Sequence, residues 1–175
     1  MSTDTARPHT TTRPPIAWVP LWLAAAATGL LLLVTSGRYG YHRDELYFLT
    51  AGRHLDWGYI DQPPLTPALA RLLDDLFPGS LTMLRLPSTL AAVAMVLLAG
   101  LLARELGGGR IAQLVAAACW AGSGLVLVSS HLLSTTTFDL LFAMVLSWLL
   151  LCWLNRGDDR LWLAMGAVLG FGLWN

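Results

Sequence analysis

Two polar islands hold most of the side chains able to do chemistry. The first is Tyr41-His42-Arg43-Asp44-Glu45; the second is Asp56-Trp57-Gly58-Tyr59-Ile60-Asp61-Gln62-Pro63-Pro64, with Tyr47, Phe48, Arg53 and His54 between them. Carboxylates, imidazoles and guanidinium groups this close together can exchange protons with a bound molecule or hold a charged one. A flexible linker would be rich in Gly and Ser, whereas aromatic residues alternate with charges here. The pattern describes a folded loop resting on a membrane.

Composition sets the surroundings of that loop. Hydrophobic residues make up 55% of the 175, charged residues 13%, and the mean hydropathy is +0.59. A soluble domain of this length is far less apolar. The formal net charge is zero, with a pI near 6.9, so no basic face for nucleic acid is expected. All 11 basic residues are Arg.

Runs of about 20 apolar residues mark membrane-spanning helices. The expected spans are 16–36, 84–103, 111–128 and 138–154, with a shorter run at 161–174 and an external loop at 37–83. Residues 1–15 read as a disordered cytoplasmic tail. The last run, about 14 residues, reaches roughly 21 Å, against a hydrocarbon core of about 30 Å. It reads as a truncated span, so the chain is expected to be an N-terminal fragment, inactive alone, whose reading frame continues. Arg7 and Arg13 precede the first run as in a secretory signal, but the run is long for one and Thr35-Ser36-Gly37 is a poor cleavage site.

Arg104 and Arg110, and Arg156 and Arg160, occupy short connections, so the positive-inside rule puts these and the N-terminus in the cytoplasm. The loop 37–83 then lies outside a multi-pass protein of the cell membrane. Within it, Leu46, Tyr47, Phe48, Ala51 and Leu55 recur at helical spacing. From Pro67 to Phe77, Leu69, Leu72, Leu73 and Leu76 share one face, with Arg71, Asp74 and Asp75 on the other. These are two candidate interfacial amphipathic helices, joined by a connector that Pro63-Pro64 keeps from being helical.

Asp139 stands apart. It follows Ser134-Thr135-Thr136-Thr137-Phe138 and opens an apolar run. A charge at the centre of a spanning helix costs about 2.5–3.5 kcal/mol, less near its end. Either function or a place in the helix's first turn, where the dipole favours an acid, accounts for it. Asp44 has the same two readings, and Asp61 equally suits an Asx turn. Arg85 reads as snorkelling to the headgroups, His131 as an interfacial polar residue, and Cys119 and Cys152 as buried free thiols. Gly166 and Gly170 suggest close helix packing. Gly107-Gly108-Gly109 lacks the Lys-Ser or Lys-Thr of a nucleotide loop.

A helix, an Asp-Glu pair, a short helix and then Gly-Tyr-x-Asp-x-Pro-Pro-Leu, over Arg38 to Asn175 with Asp139, resemble the first external loop of GT-C glycosyltransferases. The similar branch includes dolichyl-phosphate-mannose protein mannosyltransferases and bacterial aminoarabinose transferases. The resemblance implies an all-α, polytopic transmembrane bundle of GT-C type, 16–175 being its N-terminal part. It implies inverting transfer of a sugar from a polyprenyl-phosphate donor to an acceptor hydroxyl of a glycan, lipid or protein.

By this resemblance Asp44 matches the catalytic base, with Glu45 and Asp139 as further catalytic carboxylates. Asp61 matches an acid that in some relatives approaches a divalent metal cation near the donor phosphate. Gln62, Tyr59, Arg43 and His54 would lie in the same vicinity. Gln62 stands where relatives carry Lys, which replaces a charge with an amide donor. The other readings are a membrane transporter and a non-catalytic lipid-binding membrane protein. Transporters place ionisable groups near the midplane, and the expected spans carry none there.

Overall fold

A computed structural model describes residues 13–175, and every regular element among them is helical. In chain order these are α1 (Trp18–Ser36), α2 (Arg43–Gly52), α3 (Leu65–Leu76), α4 (Leu81–Glu105), α5 (Arg110–Ala121), α6 (Gly124–Ser130), α7 (Thr135–Arg156) and α8 (Leu161–Leu173). Three of them, α1, α4 and α7, are long and apolar enough to cross a membrane. The protein is an all-helical membrane bundle, and residues 1–12 of the expected tail lie outside the described residues. Arg13 to Pro15 are tied to the bundle: Arg13 meets Glu105, Arg104 Nε donates to the Pro14 carbonyl, and Gln113 Nε2 donates to that of Pro15.

The span expected at 111–128 is broken. Helices α5 and α6 meet at 55°, and the break falls at Gly122-Ser123, where Ser123 is extended. Glycine is a poor interior helix residue, so two of them flanking Ser123 give the chain a low-cost place to turn. The end of α7 is similarly set by glycine: Gly157 adopts φ 66°, ψ 23°, and its amide donates to the Trp153 carbonyl.

Helix α4 is the central post. It packs against α1, α5 and α7, and its buried residues include Ala92, Met95, Val96 and Ala99. Small residues let the backbones of α1 and α4 approach closely. A Cβ added at Gly29 would lie 2.7 Å from Val93 Cγ2, and one at Gly100 would run into Leu21. Gly166 and Gly170 instead face open space among the described residues, contrary to the packing face expected there, and Cys119 is exposed while Cys152 is buried.

Helices α2 and α3 fold back on each other between α1 and α4. The end of α2 seats tightly on α3, since a Cβ at Gly52 would approach the Pro67 carbonyl to 2.7 Å. Phe48, Ala70, Leu84 and Leu133 form the buried cluster beneath them. Leu69 and Leu73 pack against that cluster, whereas Leu72, Leu76 and Phe77 remain exposed. The apolar side of α3 is therefore divided between core and outer surface.

Candidate functional site

His42 starts α2. Its Nδ1 accepts from the Asp44 amide at 3.3 Å and its own amide donates to Glu45 Oε2 at 2.8 Å, a reciprocal cap. Adjacent helix positions point about 100° apart, so the Asp-Glu pair is split. Asp44 keeps 51% of its side chain exposed, whereas Glu45 has none exposed.

Glu45 meets Arg85. Arg85 Nε donates to Oε1 and Nη2 to Oε2, both at 2.7 Å, a bidentate pair with neither side chain exposed. The Leu133 amide adds a bond to Oε1 at 3.1 Å. Arg85 also donates to the carbonyls of Ser36 and Gly40, and its guanidinium lies 4.8 Å from the centre of the Tyr39 ring. Five segments are thereby joined: the end of α1, the 37–42 connector, α2, α4 and the stretch of chain before α7. Arg85 does not snorkel, because its partners are internal and close enough to hold it. Burial by itself would push the Glu45 carboxyl up. The Arg85 guanidinium and the His42 and Leu133 amides outweigh it and hold the group below its ordinary range.

Above this pair lies a concavity of about 380 Å³ lined by Arg43, Asp44, Tyr47, Phe48, Asp61, Gln62 and Thr135. It is polar, and it brings together side chains from both islands and from the start of α7. Tyr47 donates to Asp61 Oδ1 at 2.6 Å, which fixes the second island over α2 and raises the phenol's pKa. That contact, rather than an Asx turn, engages the Asp61 side chain. Gln62 Nε2 is buried with no hydrogen-bond partner among the described residues. Arg43 Nε lies 3.3 Å from Asp44 Oδ1.

Tyr59 and His54 sit behind the concavity. The Tyr59 hydroxyl donates to the carbonyls of Ala51 at 2.9 Å and His54 at 3.2 Å, and its amide to Gln62 O at 2.9 Å, which closes the second island against the end of α2. Asp139 is one turn beyond Thr135 and does not line the concavity. Nor does it start α7, since Ser134 is the cap and accepts from the Thr136 amide at 3.3 Å. Its Oδ1 accepts from Asn175 Nδ2 at 2.9 Å.

Asn175 is a junction that sequence reasoning misses. Its amide also donates to the Thr135 carbonyl at 2.8 Å and its oxygen accepts from the Thr66 hydroxyl at 2.9 Å, while the Leu65 amide bonds the Trp174 carbonyl at 3.0 Å. The end of α8 thus clamps the starts of α3 and α7. Beside it, Trp57 and Trp174 pack at 5.9 Å over an apolar concavity of about 450 Å³ that includes Pro64, Leu65 and Ala68.

No group of three or more His, Cys, Asp or Glu converges as a metal cage among the described residues. Asp44 and Asp61 do line one concavity. A single carboxylate such as Asp61 suits a cation such as Mg²⁺, which keeps waters and takes its other ligands from a bound phosphate.

Three helices long and apolar enough to span, with a polar concavity lined largely by the chain between α1 and α4, define a polytopic membrane protein. Residues 61–175 match the family model described as dolichyl-phosphate-mannose-protein mannosyltransferase. The chain belongs to that family, whose members are membrane glycosyltransferases of GT-C type. No curated protein and no solved structure matches it. The matched stretch opens on Asp61 and includes Arg85, Asp139 and Asn175, whereas Asp44 and Glu45 precede it.

Proposed function

We propose that the concavity is where a sugar passes from a polyprenyl-phosphate donor to an acceptor hydroxyl of a glycan, lipid or protein on the external face of the membrane. The observation that carries this reading is the convergence of Asp44, Arg43, Asp61 and Gln62 on one polar concavity. Asp44, half exposed, is the base. It takes the acceptor proton as the acceptor oxygen bonds the anomeric carbon and the bond from that carbon to the phosphate oxygen breaks, with inversion.

Charge on the departing polyprenyl phosphate needs donors already in place. Arg43 and the unpartnered Gln62 amide supply them, and Asp61 holds a divalent cation if one is bound, which would neutralise the phosphate. Tyr59 and His54 shape the loop. Glu45, sealed and saturated, positions Asp44 through the first turn of α2 instead of touching substrate. Asp139 acts from the adjoining turn of α7, through Asn175, whose side-chain amide bonds both it and the Thr135 carbonyl. Residues 16–175 belong to the transferase domain, with the N-terminus cytoplasmic.

The test pairs two assays on membranes in which the wild-type protein transfers sugar. Asp44→Asn keeps the shape of the side chain and removes proton acceptance, so turnover falls by about 100-fold to 10,000-fold with donor binding unchanged. Transfer at the wild-type rate overturns the assignment. Asp61→Asn weakens donor binding instead.

A further inference from the structure

About 30 Å along α4 from Arg85, the opposite end of the bundle holds a second charge cluster with no part in the proposed transfer. Glu105 ends α4 with its side chain 1% exposed. Its carboxylate meets Arg104 Nη1 at 2.9 Å, Arg13 Nη1 at 3.3 Å and Arg156 Nη2 at 3.3 Å, and Asn155 Nδ2 donates to it at 3.2 Å. One carboxylate among three guanidinium groups leaves a local excess of positive charge. Four contacts also exhaust what a carboxylate can accept, so Glu105 neutralises nothing more.

The arginines are not exhausted. Each guanidinium carries five N–H donors, and Arg104 directs only two of them, one to Glu105 and one to the Pro14 carbonyl. The side chains of Arg13, Arg104 and Arg156 stay 25%, 20% and 45% exposed. They come from three separate segments and are fixed by one buried carboxylate, so little further ordering is needed to grip an anion.

We propose that this cluster seats the phosphate of an anionic phospholipid headgroup. Its depth suits that occupant. Arg104 and Arg156 stand in the last turns of α4 and α7, both long and apolar enough to cross the membrane, which puts their heads at the level of the lipid phosphates. Leu154 and Ile111, exposed beside them, offer apolar surface to the acyl chains. The neighbouring Trp153 and Trp162 pack edge to face at 4.9 Å, and tryptophan is a residue enriched at the headgroup boundary. Asp158 and Asp159 lie in the connection after α7, but Trp153 Nε1 already engages Asp159 at 3.1 Å.

The test uses the whole chain in detergent, with native mass spectrometry after adding phosphatidylglycerol or phosphatidylcholine, and thermal unfolding in bilayer discs of each lipid. Phosphatidylglycerol is expected to be retained selectively and to raise the unfolding midpoint of the wild-type protein. Arg156→Gln should lower its retention about fivefold, the equivalent of about 1 kcal/mol per arginine near a lipid surface. Arg110→Gln, exposed and outside the cluster, should leave it unchanged. Equal retention of the two lipids, equal losses in both variants, or displacement of the lipid by millimolar inorganic phosphate overturns the proposal. Should Arg156→Gln fail to fold, the wild-type midpoints decide: no difference between the lipids also overturns it.

Discussion

Arg85 donates two bonds of 2.7 Å to Glu45 with neither side chain exposed, and through them the end of α1, α2, α4 and the chain before α7 share one anchor. Glu45 follows Asp44 in the first turn of α2, so the pair fixes the turn that carries Asp44 into the concavity. Removing one partner leaves an uncompensated buried charge, at a cost of about 3–5 kcal/mol. Arg85→Met should therefore lower stability by that amount in detergent unfolding, with sugar transfer lost. Arg85→Lys should recover little, because an ammonium cannot make the two-pronged contact. If Glu45→Leu combined with Arg85→Met regains stability but not transfer, the pair positions Asp44 and does more than hold the fold.

The same pair sets a pH dependence. In the folded protein the Glu45 carboxyl is held below its ordinary value of 4.5. Its stabilisation is therefore fully present above pH 4.5 and is lost as pH falls through the lower, folded-state value. Unfolding midpoints measured from about pH 7 down to about pH 3 should drop more steeply in the wild-type protein than in Glu45→Gln, which cannot titrate there. Parallel profiles would mean that other carboxylates govern acid unfolding.

Packing of α1 on α4 gives a prediction that involves no charge. Gly100 faces Leu21, which is fully buried, and Gly29 faces Val93. Gly100→Val adds volume to a full interface, for which overpacking costs about 1–3 kcal/mol. Gly166→Ala, where a Cβ meets open space, should leave the unfolding midpoint unchanged. The contrast is measured by unfolding both variants in the same detergent.

The spanning helices are legible in the sequence because unbroken apolar runs of that length are rare outside a membrane. The break between α5 and α6 is not, since Gly122-Ser123-Gly124 is only a short dip inside a run long enough to read as one span. Arg85 reads from the sequence as a charge snorkelling to the headgroups, whereas it is buried against Glu45 with neither side chain exposed. Its partner is 40 positions away in the chain, and periodicity carries no information across such a gap. The Asp44-Glu45 pair is legible as chemistry, whereas its division into an outward and an inward acid follows from helix geometry only once α2 is known to start at Arg43. Nothing in the residue type of Asn175 marks it, because its three side-chain partners lie in α3 and α7.

Asn175 supplies the last prediction. It is 5% exposed and joins Thr66, Thr135 and Asp139, of which Thr135 lines the concavity. Asn175→Ala would leave the Thr66 hydroxyl buried without its acceptor and release one oxygen of Asp139. An unmade buried hydrogen bond costs about 1–3 kcal/mol, so the unfolding midpoint should fall. Asn175→Asp places a second carboxylate against Asp139, so it should be worse than Ala although it keeps the side-chain shape. Thr66→Val tests the other side of the junction: it removes the bond without touching Asp139. If Asp139 contributes only through the fold, all three variants lose transfer in proportion to stability. If Asp139 contributes to the concavity, Asn175→Ala loses more transfer than Thr66→Val at matched stability.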